Sequence, residues 1–362
     1  MAAQDVPGHA RGEKTPTSRV LVTGGTGFIG GWCVLTLLRA GHEVRTTVRD
    51  PARAPALRER LHAAAEFDDA RLTVVRADLG DDRGWAEAVA ECDHVLHVAS
   101  PTLRHAPDSE AAMVAAARDG VLRVLRAARA AHVRRVVLTS AFGAVGYGHP
   151  RRATPFTEED WTNLDAPLAP YQRSKTLAER AAWDFVRTEG GGLELAAVHP
   201  AAVIGPVLGP DDPPSLRVIR AMLDGTARVC PPFGTSWVDV RDVAELHLRV
   251  MTAPGAAGER WLASAGPSLR VVEIARILRE RLGERATKAP TRELPLPLAR
   301  VLSRFDPRLR ALRPQLGHDF GASGAKAERL LGWRPRPVEE TVVDTAESLL
   351  AHGLPASGRR TV

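Results

Sequence analysis

"RVLVTGGTGFIGGWCVLTLLRAGHEVRTTVRD", residues 19–50, decides how this chain folds. "RVLVT" is a short β-branched apolar run and reads as a strand. Gly24, Gly27 and Gly30 follow at G-x-x-G-x-x-G spacing. From Phe28 to Ala40, Ile29, Trp32, Cys33, Leu35, Leu37 and Leu38 recur at helical period, and Gly41 closes the helix as its C′ residue. "HEVRTTV" then alternates as a second strand. This is a βαβ unit of dinucleotide-binding length. Gly24 allows the tight turn, Gly27 lets backbone N–H groups approach a pyrophosphate, and Gly30 lets the helix pack close on the strand. The helix N-terminus, with Phe28 and Ile29 in its first turn, faces the anion.

The residue after the second strand selects the nucleotide. An NAD site places an acid at the end of that strand for the ribose 2′-hydroxyl. Here the strand pattern ends at Val48, Arg49 follows, and Asp50 precedes Pro51 in the turn. Arg49 can meet a 2′-phosphate with planar, charge-assisted hydrogen bonds, which points to NADP(H). Arg45 lies on the same strand face and reads more readily as a surface charge.

Outward from this unit the alternation continues. "RLTVVRADL" reads as a strand ending at Asp78 and Leu79, "HVLHVASP" as another from His94, and "RRVVLTSA" as a third from Arg134 to Ala141. "SEAAMVAAARDGVLRVLRAARAAH" is a long helix between them. A helix from Leu168 to Val186 carries Tyr171 and Lys175, and "LELAAVHP" returns as a strand ending at Pro200. Near-continuous apolar strands separated by helices predict an α/β doubly wound parallel sheet covered on both faces, a Rossmann fold, with a smaller C-terminal α/β substrate lobe. Ligands on such sheets sit beyond the carboxyl ends of the strands, which nominates Asp78, Leu79, Ala99, Ser100, Ser140, Pro200 and Val203. The expected divisions are a disordered tail at 1–17 and a dinucleotide domain at 18–202, to which 236–263 returns. The substrate lobe takes 203–235 and 264–350, and a tail follows at 351–362.

"YQRSK", 171–175, holds one of two tyrosines and one of four lysines among 362 residues. On a helix the two side chains leave one face a turn apart, and a phenol beside an ammonium is a proton-transfer pair. Composition narrows the remaining classes. The net charge is +6, with 49 basic residues of which all but Lys14, Lys175, Lys288 and Lys326 are arginine. These are spread among acidic neighbours rather than clustered, so no nucleic-acid partner is expected. Cys33, Cys92 and Cys230 show no paired spacing, which argues against disulfides or a metal site and fits a reducing cytoplasm. No apolar run is long enough for a bilayer, and "MAAQDVPGHARGEKTPTS" lacks a signal-peptide core.

"TGGTGFIG", "VRTTVRDP", "ADL", "HVASP", "YQRSKTLAERAAW", "PAAVIGPVLGPDDPPSL" and "WVDVRDVAELH" together resemble the extended short-chain dehydrogenase/reductases of the epimerase/dehydratase superfamily. Within them the chain resembles the dihydroflavonol-4-reductase-like and bacterial aldehyde/ketone reductase branch, from about Ser18 to Leu350. The resemblance implies a Ser–Tyr–Lys site beside a nicotinamide. Tyr171 would give its proton to a carbonyl oxygen. Lys175 would hold the nicotinamide ribose and pull the phenol pKa down from about 10 toward working pH. A small-molecule carbonyl substrate and a monomer or homodimer are expected.

Two positions depart from the pattern. The family's serine falls on Ala141, which leaves neighbouring Ser140 as the candidate. The asparagine that recognises flavonoids falls on Gly146, which argues against a flavonoid. Phe142, Tyr147, Phe156 and Trp161 are candidate pocket residues, and "LPLPLARVL" reads either as an apolar lid or as a surface helix. The alternatives left open are a nucleotide-sugar epimerase or dehydratase, a 3β-hydroxysteroid-type dehydrogenase, and a catalytically silent NADP(H)-binding sensor.

Overall fold

In the computed structural model, which describes residues 17–101, 109–210 and 213–353, seven parallel strands form the central sheet. Residues 1–16 and 354–362, where the tails were expected, lie outside the described residues, as do Asp211 and Asp212. The chain runs β1 (Arg19–Thr23), α1 (Phe28–Arg39), β2 (Glu43–Val48), α2 (Ala54–Ala64), β3 (Leu72–Arg76), α3 (Trp85–Val89), β4 (His94–His97), α4 (Glu110–Ala130), β5 (Arg135–Thr139), α5 (Pro170–Glu189) and β6 (Glu194–Pro200). It continues through β7 (Ala202–Ile204), α6 (Arg217–Asp224), β8 (Gly234–Thr235), β9 (Trp237–Asp239), α7 (Val240–Thr252), β10 (Arg260–Ala263), β11 (Leu269–Arg270) and α8 (Val271–Leu282). It ends with α9 (Leu296–Leu302), α10 (Pro307–Leu312), β12 (Asp319–Phe320), α11 (Ala325–Leu331) and α12 (Val338–Ala351).

The sheet order is β10-β6-β5-β4-β1-β2-β3. Chain direction across the sheet reverses between β1 and β4, so the glycine turn after β1 and the Ala99–Ser100 segment after β4 face each other at the switch point. Each strand is apolar because both of its faces are covered. Val20, Val22 and Val137 join α1 and α7 residues in one core, while Leu21, Val95 and Val136 join α4 and α5 residues in the other.

A third core belongs to the smaller lobe, where Ile219, Met222, Ile274, Leu278, Val342 and Leu349 pack α6, α8 and α12 together. Phe28 is packed against this core and against the α1 core, so the first turn of α1 lies where the two lobes meet. The C-terminal helices part company: α12 packs in the lobe, but Ala327 of α11 and the following Trp333 are buried in the α1/α7 core, and the Trp333 indole donates to the Asp242 carbonyl at 3.0 Å. The two C-terminal helices therefore pack into different cores. The stretch "LPLPLARVL" forms α9 at the surface. Ala299 packs with Leu294 and Leu316, while Leu298, Val301 and Leu302 stay exposed.

Several strands stop short of their expected ends. β3 ends at Arg76 because the Asp78 carboxylate accepts the Gly80 N–H at 2.8 Å and turns the chain. β5 ends at Thr139, followed by a single 3-10 turn, Phe142–Ala144. α5 begins at Pro170, whose fixed φ and missing N–H suit a first helical position.

Arg135 ties the sheet to α7. Its side chain, 1% exposed, donates to Glu194 at 2.7 Å and to the carbonyls of Val250, Met251 and Ala253 at 2.8–3.0 Å. These include last-turn carbonyls of α7 that lack helical partners. Arg135→Met should keep the volume and remove every donor, costing about 3 kcal/mol. A lower denaturant midpoint at unchanged slope would show it; an unchanged midpoint would rule the clamp out.

Candidate active site

The glycine turn is built by exclusion of side chains. Gly24 has φ +75°, and a Cβ there would lie 3.1 Å from Ala99 Cα; one on Gly30 would lie 2.2 Å from the Gly24 carbonyl oxygen. The turn is held by Thr46 and Thr47, whose hydroxyls accept the N–H groups of Gly25 at 3.2 Å and Gly24 at 3.1 Å. On the β4 side, Thr23 Oγ1 accepts the Ala99 N–H at 2.9 Å. Gly27 is the N-cap of α1, and no side chain caps this end. The first-turn N–H groups of α1, from Phe28 onward, thus face the cleft as uncapped donors. That donor set and the missing side-chain volume fit a dinucleotide pyrophosphate.

At the end of β2 the three charged residues separate. Arg45 is occupied: its Nη1 donates to the carbonyls of Glu87, Ala88 and Ala90 at 2.7, 3.2 and 2.8 Å, closing the C-terminus of α3. The Asp50 carboxylate accepts the Ala52 N–H at 3.0 Å. Arg49 is exposed, in no hydrogen bond or ion pair among the described residues. Arg60, on α2, lines the cleft at the turn with Gly27, Phe28 and Leu208. Sequence reading missed it because one more arginine on a polar helix carries no signal.

Beyond β4 and β5 a second small cavity brings Leu79, Ala99, Ser100, Thr139, Ser140 and Lys175 together. Pro200 ends β6, and Val203 is buried in β7, where it pairs with Val238. Asp78 is exposed beyond β3. Tyr171 and Lys175 sit one turn apart on α5, and a Cβ on Gly143 would meet the Tyr171 ring at 3.4 Å, so that glycine keeps the phenol close to the β5 exit.

The electrostatics of the pair correct one expectation. Burial pushes the Tyr171 phenol up to about 12, not down toward neutrality. The Lys175 ammonium donates to the Thr139 carbonyl at 3.2 Å, and burial lowers its pKa to about 8 while Glu179 works against that fall. Tyr171 therefore holds its proton across ordinary working pH, the state a proton donor needs. The ammonium is present below about pH 8 and is lost as pH rises through it. Carbonyl reduction should accordingly decline above pH 8 in initial-rate profiles, and a rate flat to pH 10 would contradict this.

Ser140 also departs from expectation. Its hydroxyl donates to Glu179 at 2.5 Å, and its side chain is buried. Adjacent strand residues point to opposite faces, and the Thr139 hydroxyl goes the other way, to His247 Nε2 at 2.7 Å. His97, next to Lys175 in the second cavity, was not singled out from sequence. Its Nδ1 pairs with Thr23 Oγ1 at 2.9 Å, and burial lowers its pKa to about 3, so the ring is neutral.

Comparison with known proteins shows the family. Residues 20–263 match the NAD dependent epimerase/dehydratase family. The chain is 38% identical over 263 residues to cinnamoyl-CoA reductase 1 of Arabidopsis thaliana, covering 70% of this chain and 73% of that one. It is 33% identical over 276 residues to dihydroflavonol 4-reductase of Zea mays, covering 73% and 74%. Among solved structures, yeast methylglyoxal/isovaleraldehyde reductase Gre2 complexed with NADPH superposes with a TM-score of 0.75 at 26% identity, covering 92% of this chain and 98% of that one.

The chain belongs to the NAD dependent epimerase/dehydratase family. It is an NAD(P)-dependent oxidoreductase of the extended short-chain type. Four aromatic rings cluster beyond β5. Phe142 packs edge-on against Tyr147, Phe156 and Phe320, with centroids 5.9, 5.7 and 6.4 Å apart, and Tyr147 stacks on Phe320 at 4.7 Å. Trp161 is not in this cluster and lies under the Arg260 guanidinium at 3.8 Å.

The Phe142 ring also occupies the space beside Gly146, where an added Cβ would come within 2.1 Å of it. Gly146→Asn therefore cannot install a flavonoid-recognising amide without displacing Phe142. It should cost about 2 kcal/mol of stability, read by denaturant titration, and confer no flavonoid turnover.

Proposed function

We propose that this chain catalyses NADPH-dependent reduction of a small or medium carbonyl compound, an aldehyde, ketone or β-keto ester, to its alcohol. The observation that carries the reading is the half-buried Tyr171–Lys175 pair, one turn apart on α5, beside the carboxyl ends of the strands that also bear the glycine turn. NADP(H), when bound, supplies the two electrons and the hydrogen for the carbonyl carbon. Gly24, Gly27 and the first turn of α1 would hold its pyrophosphate, Arg49 its 2′-phosphate, and Lys175 its nicotinamide ribose. Tyr171 passes its phenolic proton to the carbonyl oxygen and is left as phenolate, which Lys175 stabilises.

The oxygen receives no hydroxyl from residue 141, which is alanine, and Ser140 is committed to Glu179. Tyr171 works without the serine, at a sacrifice of about 3 kcal/mol of transition-state stabilisation. That lost donor also supports a second reading, a cofactor-binding protein without turnover. NADPH consumption across a panel of aldehydes, ketones and β-keto esters separates the two. Turnover supports the reductase; NADPH binding with no turnover on any carbonyl supports the second reading.

A further inference from the structure

Glu179 is the most heavily bonded side chain near the reacting pair, and the chemistry above does not use it. It follows Lys175 by one turn of α5, so both leave the same helix face. Its Oε2 accepts the Ser140 hydroxyl at 2.5 Å and pairs with His199 Nε2 at 2.7 Å. Its Oε1 accepts Arg260 Nε at 2.8 Å and the Trp183 indole at 3.2 Å. Arg260 is itself fixed, donating to the Glu158 and Asp160 carbonyls at 2.6 and 2.7 Å. The carboxylate is fully buried and cannot drift.

The surroundings of Lys175 explain what such a carboxylate does. On α5, Tyr171 and Glu179 flank the lysine. From β4 comes His97, which is neutral, and from β5 the Thr139 carbonyl and Ser140, with His247 of α7 behind Thr139. From α4 come only Ala117 and Val121. Glu179 is the one anion lining this cavity among the described residues, and neither Arg260 nor His199 lines it. Burial alone would push the Glu179 carboxyl up; His199, Arg260 and the Ser140 bond outweigh that and hold it at about 2, so it stays charged.

We propose that Glu179 is a positioning residue that keeps Lys175 cationic in its half-buried site, with Ser140, His199 and Arg260 acting as its holders rather than as catalytic groups. This rests on the assignment of Lys175 above. Ser140 then has a purpose consistent with its geometry, and the loss of the family serine at Ala141 is not made good by it.

The four lysines of the chain make the test direct. Full-length protein labelled with ¹³C-lysine should give four titrating side-chain signals, with that of Lys175 identified by its absence in Lys175→Arg. In the unaltered protein its midpoint should fall near pH 8. In Glu179→Gln it should fall by about one pH unit or more, and Glu179→Asp, which keeps the charge, should recover most of the shift. The alkaline limb of the NADPH-oxidation profile should move with it. A Lys175 midpoint unmoved in folded Glu179→Gln would overturn the proposal. Should that variant fail to fold, Glu179→Gln/Arg260→Gln is compared with Arg260→Gln, so that only the Glu179 charge differs between the two, and equal Lys175 midpoints in that pair would overturn it. The titration needs no turnover, so absence of any reductase activity would defeat the proposed reaction without touching this result.

Discussion

Tyr171→Phe should lower kcat/KM for carbonyl reduction by about a thousandfold, within the usual range for removal of a general acid. The change deletes one oxygen and no ring contact. Tyr171 packs over Gly143 through ring carbon, and no other side chain uses the hydroxyl as a hydrogen-bond partner among the described residues. Stability and NADPH affinity should therefore stay near the parent values, so that a rate loss with intact cofactor binding isolates proton transfer. Stopped-flow reduction of a good aldehyde, paired with NADPH fluorescence titration, would measure both. Retention of more than about a tenth of the activity would mean that another acid serves, and the proposed chemistry would fail at its first step.

Arg49→Ala should weaken NADPH binding by about tenfold to a hundredfold while leaving NADH within about twofold, the span expected for one or two charge-assisted hydrogen bonds to a phosphate. The structure sharpens this prediction because it removes the competitors. Arg45 is bound to the end of α3, and the Asp50 carboxylate is turned onto Ala52. Arg49 is exposed at the end of β2 and unengaged among the described residues. The NADPH effect should shrink as salt rises, since an exposed charge is screened. Equal losses for both nucleotides would show that Arg49 does not select the 2′-phosphate.

What the sequence made legible was local. The glycine spacing needs only a strand before it and a helix after it, and the tyrosine and lysine need only one helical turn. The burial pattern of the strands followed from their apolar runs. What stayed hidden depends on residues far apart in the chain. Arg260 meets Glu179 across 81 positions, and Arg45 reaches α3 across more than 40. Neither pairing has a local signature. The direction of the Tyr171 shift was misjudged for a related reason: spacing shows that an ammonium is near, but burial of the phenol, which only the packed fold displays, decides the outcome. Ser140 is the nearest hydroxyl to position 141 in sequence, but its bond to Glu179, 39 positions along the chain, has no local signature either.

β10 has a bearing on how the molecule is made. The last strand of the main sheet, Arg260–Ala263, is encoded after β7, α6, β8, β9 and α7, yet it hydrogen-bonds to β6, which ends at Pro200. A nascent chain leaving the ribosome thus presents β6 as a bare edge until the intervening segments have emerged. During that interval the edge is open to mispairing or to capture by chaperones. Truncations that stop anywhere between these two strands should be prone to aggregate, even though they retain the whole nucleotide-binding turn.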